Sequence, residues 1–175
     1  QGWQVFYAEN SFLNGLFGLA FWDVIFAPVE GAFLNAYQYK PHDLYHSDFQ
    51  EKRQDAINAV FSKIESDGLV HLKARYREKF NISNPFVHWA GFEFDLLEAA
   101  LETIPTPTLI ELFKVQLSGL ALYRNGMPDL IAFKEGQYRW IEVKGPGDKL
   151  QDNQWRWIRE FERLELPFSV CYVNQ

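Results

Sequence analysis

Among 175 residues there is a single cysteine and a single methionine. Cys171 has no partner for an internal disulfide, and its apolar setting, "FSVCYV", reads as that of a small core residue in a reducing, intracellular protein. Long apolar runs are missing too. The longest, "FGLAFWDVIF", falls short of a bilayer span and is broken by Asp23, so no membrane helix is expected. Nor is there a basic excess: the formal charge is −6, whereas nucleic-acid binders usually carry a basic footprint. The acid is uneven, with 8 Lys/Arg against 14 Asp/Glu in residues 1–108 and 9 of each in residues 109–175. Any DNA contact must therefore rest on local clusters and bound cations. No Gly-x-Gly-x-x-Gly turn, phosphate loop or internal repeat is present, which speaks against nucleotide-binding and solenoid folds. His42, His46, His71 and His88 lack the spacing of metal ligands.

What is present suffices for one globular domain, since 47% of the residues are hydrophobic. The chain opens on Gln1 without a basic n-region or a small-residue cleavage site, so it reads as a fragment of a longer protein with no signal peptide in view. Residues 11–26 are apolar nearly all round and predict a buried helix, with Asn10 or Ser11 as cap and Glu9 at its mouth. Gly15 and Gly18 cost helix propensity and make sense only if another element packs close to the backbone there. Residues 30–103 are more polar and read as mostly helical, with Ser47 as a cap and Ile57, Val60, Phe61 and Ile64 at helical spacing. "PTPT" punctuates before a further helix, "LIELFKVQLSGLALYR". Then the pattern changes to strand, turn, strand, followed by the loop "KGPGDKLQDN", a helix and a last strand, "PFSVCYV". This order predicts an α/β sandwich around a mixed sheet.

The strands of "GMPDLIAFKEGQYRWIEVKG" carry Asp129, Glu142 and Lys144. A turn at Glu135-Gly136 pairs Lys134 with Gln137 and, carried along the ladder, sets Asp129 opposite Glu142. Facing carboxylates with Cβ atoms roughly 4.5–5.5 Å apart repel, so a positive group is needed between them. Lys144 supplies part of it, and a divalent cation would supply the rest. Carboxylates without His or Cys suit Mg²⁺ or Mn²⁺. The alternative is a plain hairpin end, with Asp129 capping a turn after Pro128 and Glu142 paired to Lys144 at the surface.

The stretch "GMPDLIAF…YRWIEVKGPGDKLQDNQ", with "GLFGLAFWDVIF" after Glu9 and "VCYV" near the end, resembles the virus-type replication-repair (VRR) nuclease domain of the PD-(D/E)xK superfamily, and within it the C-terminal nuclease domain of the Fanconi-associated nucleases. The resemblance spans nearly the whole chain. It implies a restriction-endonuclease-like core, a mixed central sheet flanked by helices, as a single domain over 1–175, with an insertion at roughly 30–103. It places the Pro-Asp acid on Asp129, the Glu-x-Lys motif on Glu142 and Lys144, the first-helix acid on Glu9 and the glutamine after the active-site loop on Gln154. It also implies a main-chain metal ligand at Val143 and one or two Mg²⁺ or Mn²⁺ ions. Asp148 and Lys149 match a charged pair in the family's loop. Lys73, Arg75, Arg77 and Lys79 in "KARYREK" stand either as charge on a solvated helix face or as further phosphate contacts. The implied activity is metal-dependent, structure-selective DNA cleavage: a 5′-flap endonuclease and 5′-to-3′ exonuclease of DNA repair, including interstrand-crosslink repair. The implied partners are flaps and branched repair intermediates, met by a monomer with N-terminal regions absent from this sequence. The implied setting is the cytoplasm or nucleoid of a bacterium, or the nucleus of a eukaryote. Rival readings are a dimeric Holliday-junction resolvase and a catalytically silent DNA-binding module.

Overall fold

Four strands form one mixed sheet in the order β1-β2-β3-β4 in this computed structural model, which describes residues 2–174. Gln1, on which the fragment reading rests, lies outside them. The strands are β1 (Gln4–Tyr7), β2 (Leu130–Lys134), β3 (Gln137–Lys144) and β4 (Phe168–Tyr172). β1 and β2, and β2 and β3, pair antiparallel, whereas β3 and β4 run parallel. The parallel pair requires a crossover, which the helix over Asp152–Arg163 provides.

The β2–β3 register is the expected one. Lys134 pairs with Gln137 and Leu130 with Ile141. The turn residues Glu135 and Gly136 have φ of 49° and 77°, the double positive φ of a two-residue hairpin whose twist matches its strands. Burial alternates along β3, with Trp140, Glu142 and Lys144 facing inward. Helices cover that face: the Trp140 ring lies 5.4 Å from Phe12 and 5.6 Å from Phe161. The two charged residues are thus carried into the interior by the same alternation that buries Trp140.

Eight α-helices accompany the sheet among the described residues: α1 (Phe12–Ala20), α2 (Trp22–Ile25), α3 (Gln54–Asp67), α4 (Leu72–Lys79), α5 (Phe94–Thr103), α6 (Thr106–Ser118), α7 (Leu120–Tyr123) and α8 (Asp152–Arg163). α1 is buried throughout. A Cβ on Gly15 would stand 2.6 Å from the Phe92 ring, and one on Gly18 2.6 Å from Val87, so both glycines mark close approaches as expected.

Several expectations are corrected. The helix predicted over 11–26 breaks at Phe21, where Arg75 Nη1 donates to the carbonyls of Leu19 and Ala20 and closes the end of α1. Neither Asn10 nor Ser11 caps it by side chain: Asn10 sits at a φ of 53°, Ser11 is already in helical backbone, and the Ala8 carbonyl takes the N–H groups of Ser11 and Phe12 instead. The stretch from Ala27 to Gln50 is turns rather than helix, and Ser47 is no cap: α3 starts at Gln54 after a 3-10 turn. A buried ion pair, Asp43 with Arg53, holds that stretch in place of helical hydrogen bonds. Pro107 lies inside the first turn of α6, where its missing N–H costs nothing. β1 was not anticipated, since its four residues carry only one half-buried side chain, Phe6. Cys171 is exposed instead of buried. It pairs with Val143, on the sheet face opposite Trp140 and Glu142, at an open edge strand.

Candidate active site

Glu142 and Lys144 form an ion pair, 3.2 Å from Nζ to Oε1, but not at the surface: their side chains are 3% and 10% exposed. Gln154, on the first turn of α8, holds both. Its Nε2 donates to Glu142 Oε1 at 2.6 Å, and its Oε1 accepts from Lys144 Nζ at 3.1 Å. The same Oε1 accepts the Gln151 N–H at 2.9 Å, half of a reciprocal capping box that starts α8. One amide therefore fixes the helix terminus and the two charges together.

Burial raises the Glu142 carboxyl above its ordinary pKa; the Lys144 hydrogen bond opposes this and the negative Asp129 adds to it. Asp129 itself is half-buried, and its Oδ2 accepts the Val143 N–H at 2.8 Å across the hairpin. The Asp129 carbonyl meanwhile accepts the N–H groups of Ala8 and Glu9 at 2.8 and 3.3 Å. Through these bonds the chain entering α1 is laid beside the hairpin. Glu9, Asp129 and Val143 then line one open cleft of about 590 Å³ with Tyr7 and Leu130.

Glu9 and Asp129 thus share a cleft, while Glu142 turns to Lys144 and Gln154. No three His, Cys, Asp or Glu side chains among the described residues converge as a ready cage for an ion. The donor chemistry nevertheless suits a hard cation: carboxylates only, one of them buried beside another negative group.

The remaining candidates are placed differently. Asp148 and Lys149 are exposed in the loop after β3, where Asp148 Oδ2 accepts the Gly145 N–H. Of the "KARYREK" cations, Lys73 lies 3.5 Å from Glu98, Arg75 closes α1, the Arg77 guanidinium stacks 4.5 Å over Phe94, and Lys79 stands 5.4 Å over Trp22. None of the four lines the cleft of Glu9 and Asp129. Two residues near the site were missed in the sequence. Tyr7 is 85% exposed at the cleft, on a strand too short to read. Asn14 donates to the Asn10 and Arg124 carbonyls, and a lone amide inside an apolar helix was the signal for it.

The VRR-NUC domain model matches residues 64–175. The Fanconi-associated nuclease 1 homolog of Pseudomonas aeruginosa is 43% identical over 99% of this chain, which spans 32% of that protein. The Arabidopsis thaliana homolog is 28% identical over 99% of the chain, covering 20% of its own length. Among solved structures, paFAN1 bound to 1nt 5′flap DNA with gap superposes with a TM-score of 0.95 at 40% identity, over 100% of this chain and 33% of that one. The chain thus spans about a third or less of these relatives.

Proposed function

Because the chain belongs to the VRR-NUC domain family, with its PD-(D/E)xK-like core, we propose that it is the catalytic domain of a metal-dependent, structure-selective DNA nuclease that cuts 5′ flaps and degrades DNA from 5′ ends during repair, including repair of interstrand crosslinks. The observation that carries this reading is the buried Glu142–Lys144 pair held by Gln154, next to the cleft of Glu9 and Asp129. What separates this pair from the structural Asp43–Arg53 pair is its setting: burial and the negative Asp129 raise the Glu142 carboxyl, and an open cleft lined by two further acids adjoins it.

Glu9, Asp129, Glu142 and the Val143 main chain are the groups to hold Mg²⁺ or Mn²⁺, which would acidify a bound water and neutralise phosphate charge. Lys144 brings an ammonium to the same place. It orients the attacking water and stabilises the negative charge that builds on the phosphate as the new P–O bond forms and the bond to the leaving sugar oxygen breaks. Gln154 keeps Lys144 and Glu142 at fixed separation, so neither must reorganise during the reaction. Asp148 and Lys149, exposed in the following loop, take the role of supporting the site or touching phosphate.

On this reading residues 30–103 are an insertion, the protein acts as a monomer, and the regions that the longer relatives possess choose the substrate. Cleavage of a labelled 5′-flap duplex with Mg²⁺ or Mn²⁺ tests the assignment. The wild type should cut and Lys144→Ala should not; equal cutting by both would sink it.

A further inference from the structure

Away from the carboxylates, four side chains alternate along the surface as aromatic, cation, aromatic, cation. Lys40 Nζ stands 5.6 Å from the Tyr39 ring centroid and 5.4 Å from that of Tyr45, and the Arg124 guanidinium stands 5.3 Å from Tyr45 on its own account. Tyr39 is 58% exposed and Tyr45 37%. Among the described residues neither Lys40 nor Arg124 is ion-paired to a carboxylate. In a chain of charge −6 two unneutralised cations sharing one exposed ring call for an anionic, ring-bearing partner.

The strip is built on a rigid base. Two residues before Tyr45, the buried Asp43 carboxylate accepts two hydrogen bonds from Arg53, at 2.6 and 2.9 Å. Arg53 also donates to the Val24 and Phe49 carbonyls and stacks on the Phe49 ring. Tyr45 is therefore held outward by a clamped backbone. Arg124 is joined to the cleft by two routes. It precedes Asp129 by five residues, and its carbonyl accepts Asn14 Nδ2, which also donates to Asn10, next to Glu9.

The geometry points to Tyr39, Lys40, Tyr45 and Arg124 as a platform for the unpaired strand of a branched DNA, with bases stacked on the tyrosines and phosphates met by the two cations. This inference rests on the nuclease reading above and gives that site its grip on single-stranded DNA. Bases of any identity stack on such rings, so the platform recognises strandedness rather than sequence.

The test is fluorescence anisotropy of the whole protein, in Ca²⁺, with a 5′-flap duplex and with the same nicked duplex lacking the flap. Tyr45→Ala should weaken flap binding about tenfold and nicked-duplex binding less than twofold, and Tyr45→Trp should restore it. Arg124→Ala should lower the slope of log affinity against log salt by about 0.7, the loss of one single-strand phosphate contact. That slope stands as a readout even if Tyr45→Ala folds poorly. Unchanged flap binding in both variants would overturn the platform. So would equal losses on both DNAs with a lowered melting temperature, the result expected if the strip is a seat for another part of the protein. A wild type that binds the flap but never cuts it would refute the nuclease reading instead, and leave the platform standing.

Discussion

Gln154 Nε2 lies 2.6 Å from Glu142 Oε1, and this bond ties the start of α8 to the end of β3. The other end of the same amide accepts from Lys144 and from the Gln151 N–H. Helix capping and charge placement therefore share one side chain, and a change at Gln154 must disturb both.

Gln154→Ala should cost about 1 kcal/mol of stability, the usual value of a lost cap or hydrogen bond. Its effect on cleavage should be larger, about tenfold to a hundredfold in kcat, as for groups that orient ligands without touching substrate. Flap affinity should stay within twofold. Urea unfolding and single-turnover cleavage on the same preparation separate the two effects; a rate loss no larger than the stability loss predicts would assign Gln154 to capping alone.

Lys144→Met keeps much of the side-chain volume and removes the charge. Cleavage should fall about a hundredfold to a thousandfold, the loss seen when one electrostatic stabiliser of a transition state is removed. Burial already pushes the Glu142 carboxyl up, and without the opposing Lys144 it rises further. Part of the lost rate should consequently return at higher pH. A pH–rate profile with the same shape as the wild type would place Lys144 on the substrate only.

The hairpin register was legible because a Glu-Gly turn and an even-numbered ladder leave one choice, but the ladder ends at Leu130–Ile141: Asp129 stands just before β2 and its carboxylate accepts the Val143 N–H. The close approaches at Gly15 and Gly18 were legible from cost alone, since glycine in a buried helix has to be repaid by packing. The burial of the Glu142–Lys144 pair was not. Which sheet face the helices cover is a tertiary fact, and the same ignorance put Cys171 in the core. Glu9 came only through family resemblance, because its place beside Asp129 depends on β1, whose few residues show no alternation. The stretch before α3 was misread as helix because a buried side-chain pair distant in sequence, rather than periodicity, fixes it.

Gly126 has a φ of 93°, and a Cβ there would overlap the Asn153 main chain at the start of α8. Gly126→Ala combines left-handed strain with a backbone clash and should destabilise by about 3 kcal/mol. Because this contact seats α8 and Gln154 against the strand that begins after Asp129, the loss of cleavage should follow the unfolded fraction. Restoring folding with an osmolyte should bring back most of the rate. A folded but inactive variant would show that Gly126 shapes the site directly.

Asp43 and Arg53 give the fold a pH dependence of defined sign. Their side chains are 8% and 0% exposed. Burial alone would raise the Asp43 carboxyl, yet the hydrogen bonds and charge of Arg53 outweigh it, and the pKa is lowered from the ordinary 3.8. A depressed acid stabilises the fold fully above its unfolded pKa, and that contribution disappears as pH falls through the folded value. Asp43→Ala leaves Arg53 buried without its counter-charge and should cost about 3–5 kcal/mol at neutral pH. The gap in urea midpoint between wild type and Asp43→Ala should therefore be constant from pH 7 to pH 5 and narrow once the pH drops below 3.8. A gap that stays unchanged into strong acid would show that packing of the Asp43 side chain, rather than its charge, holds the turns before α3.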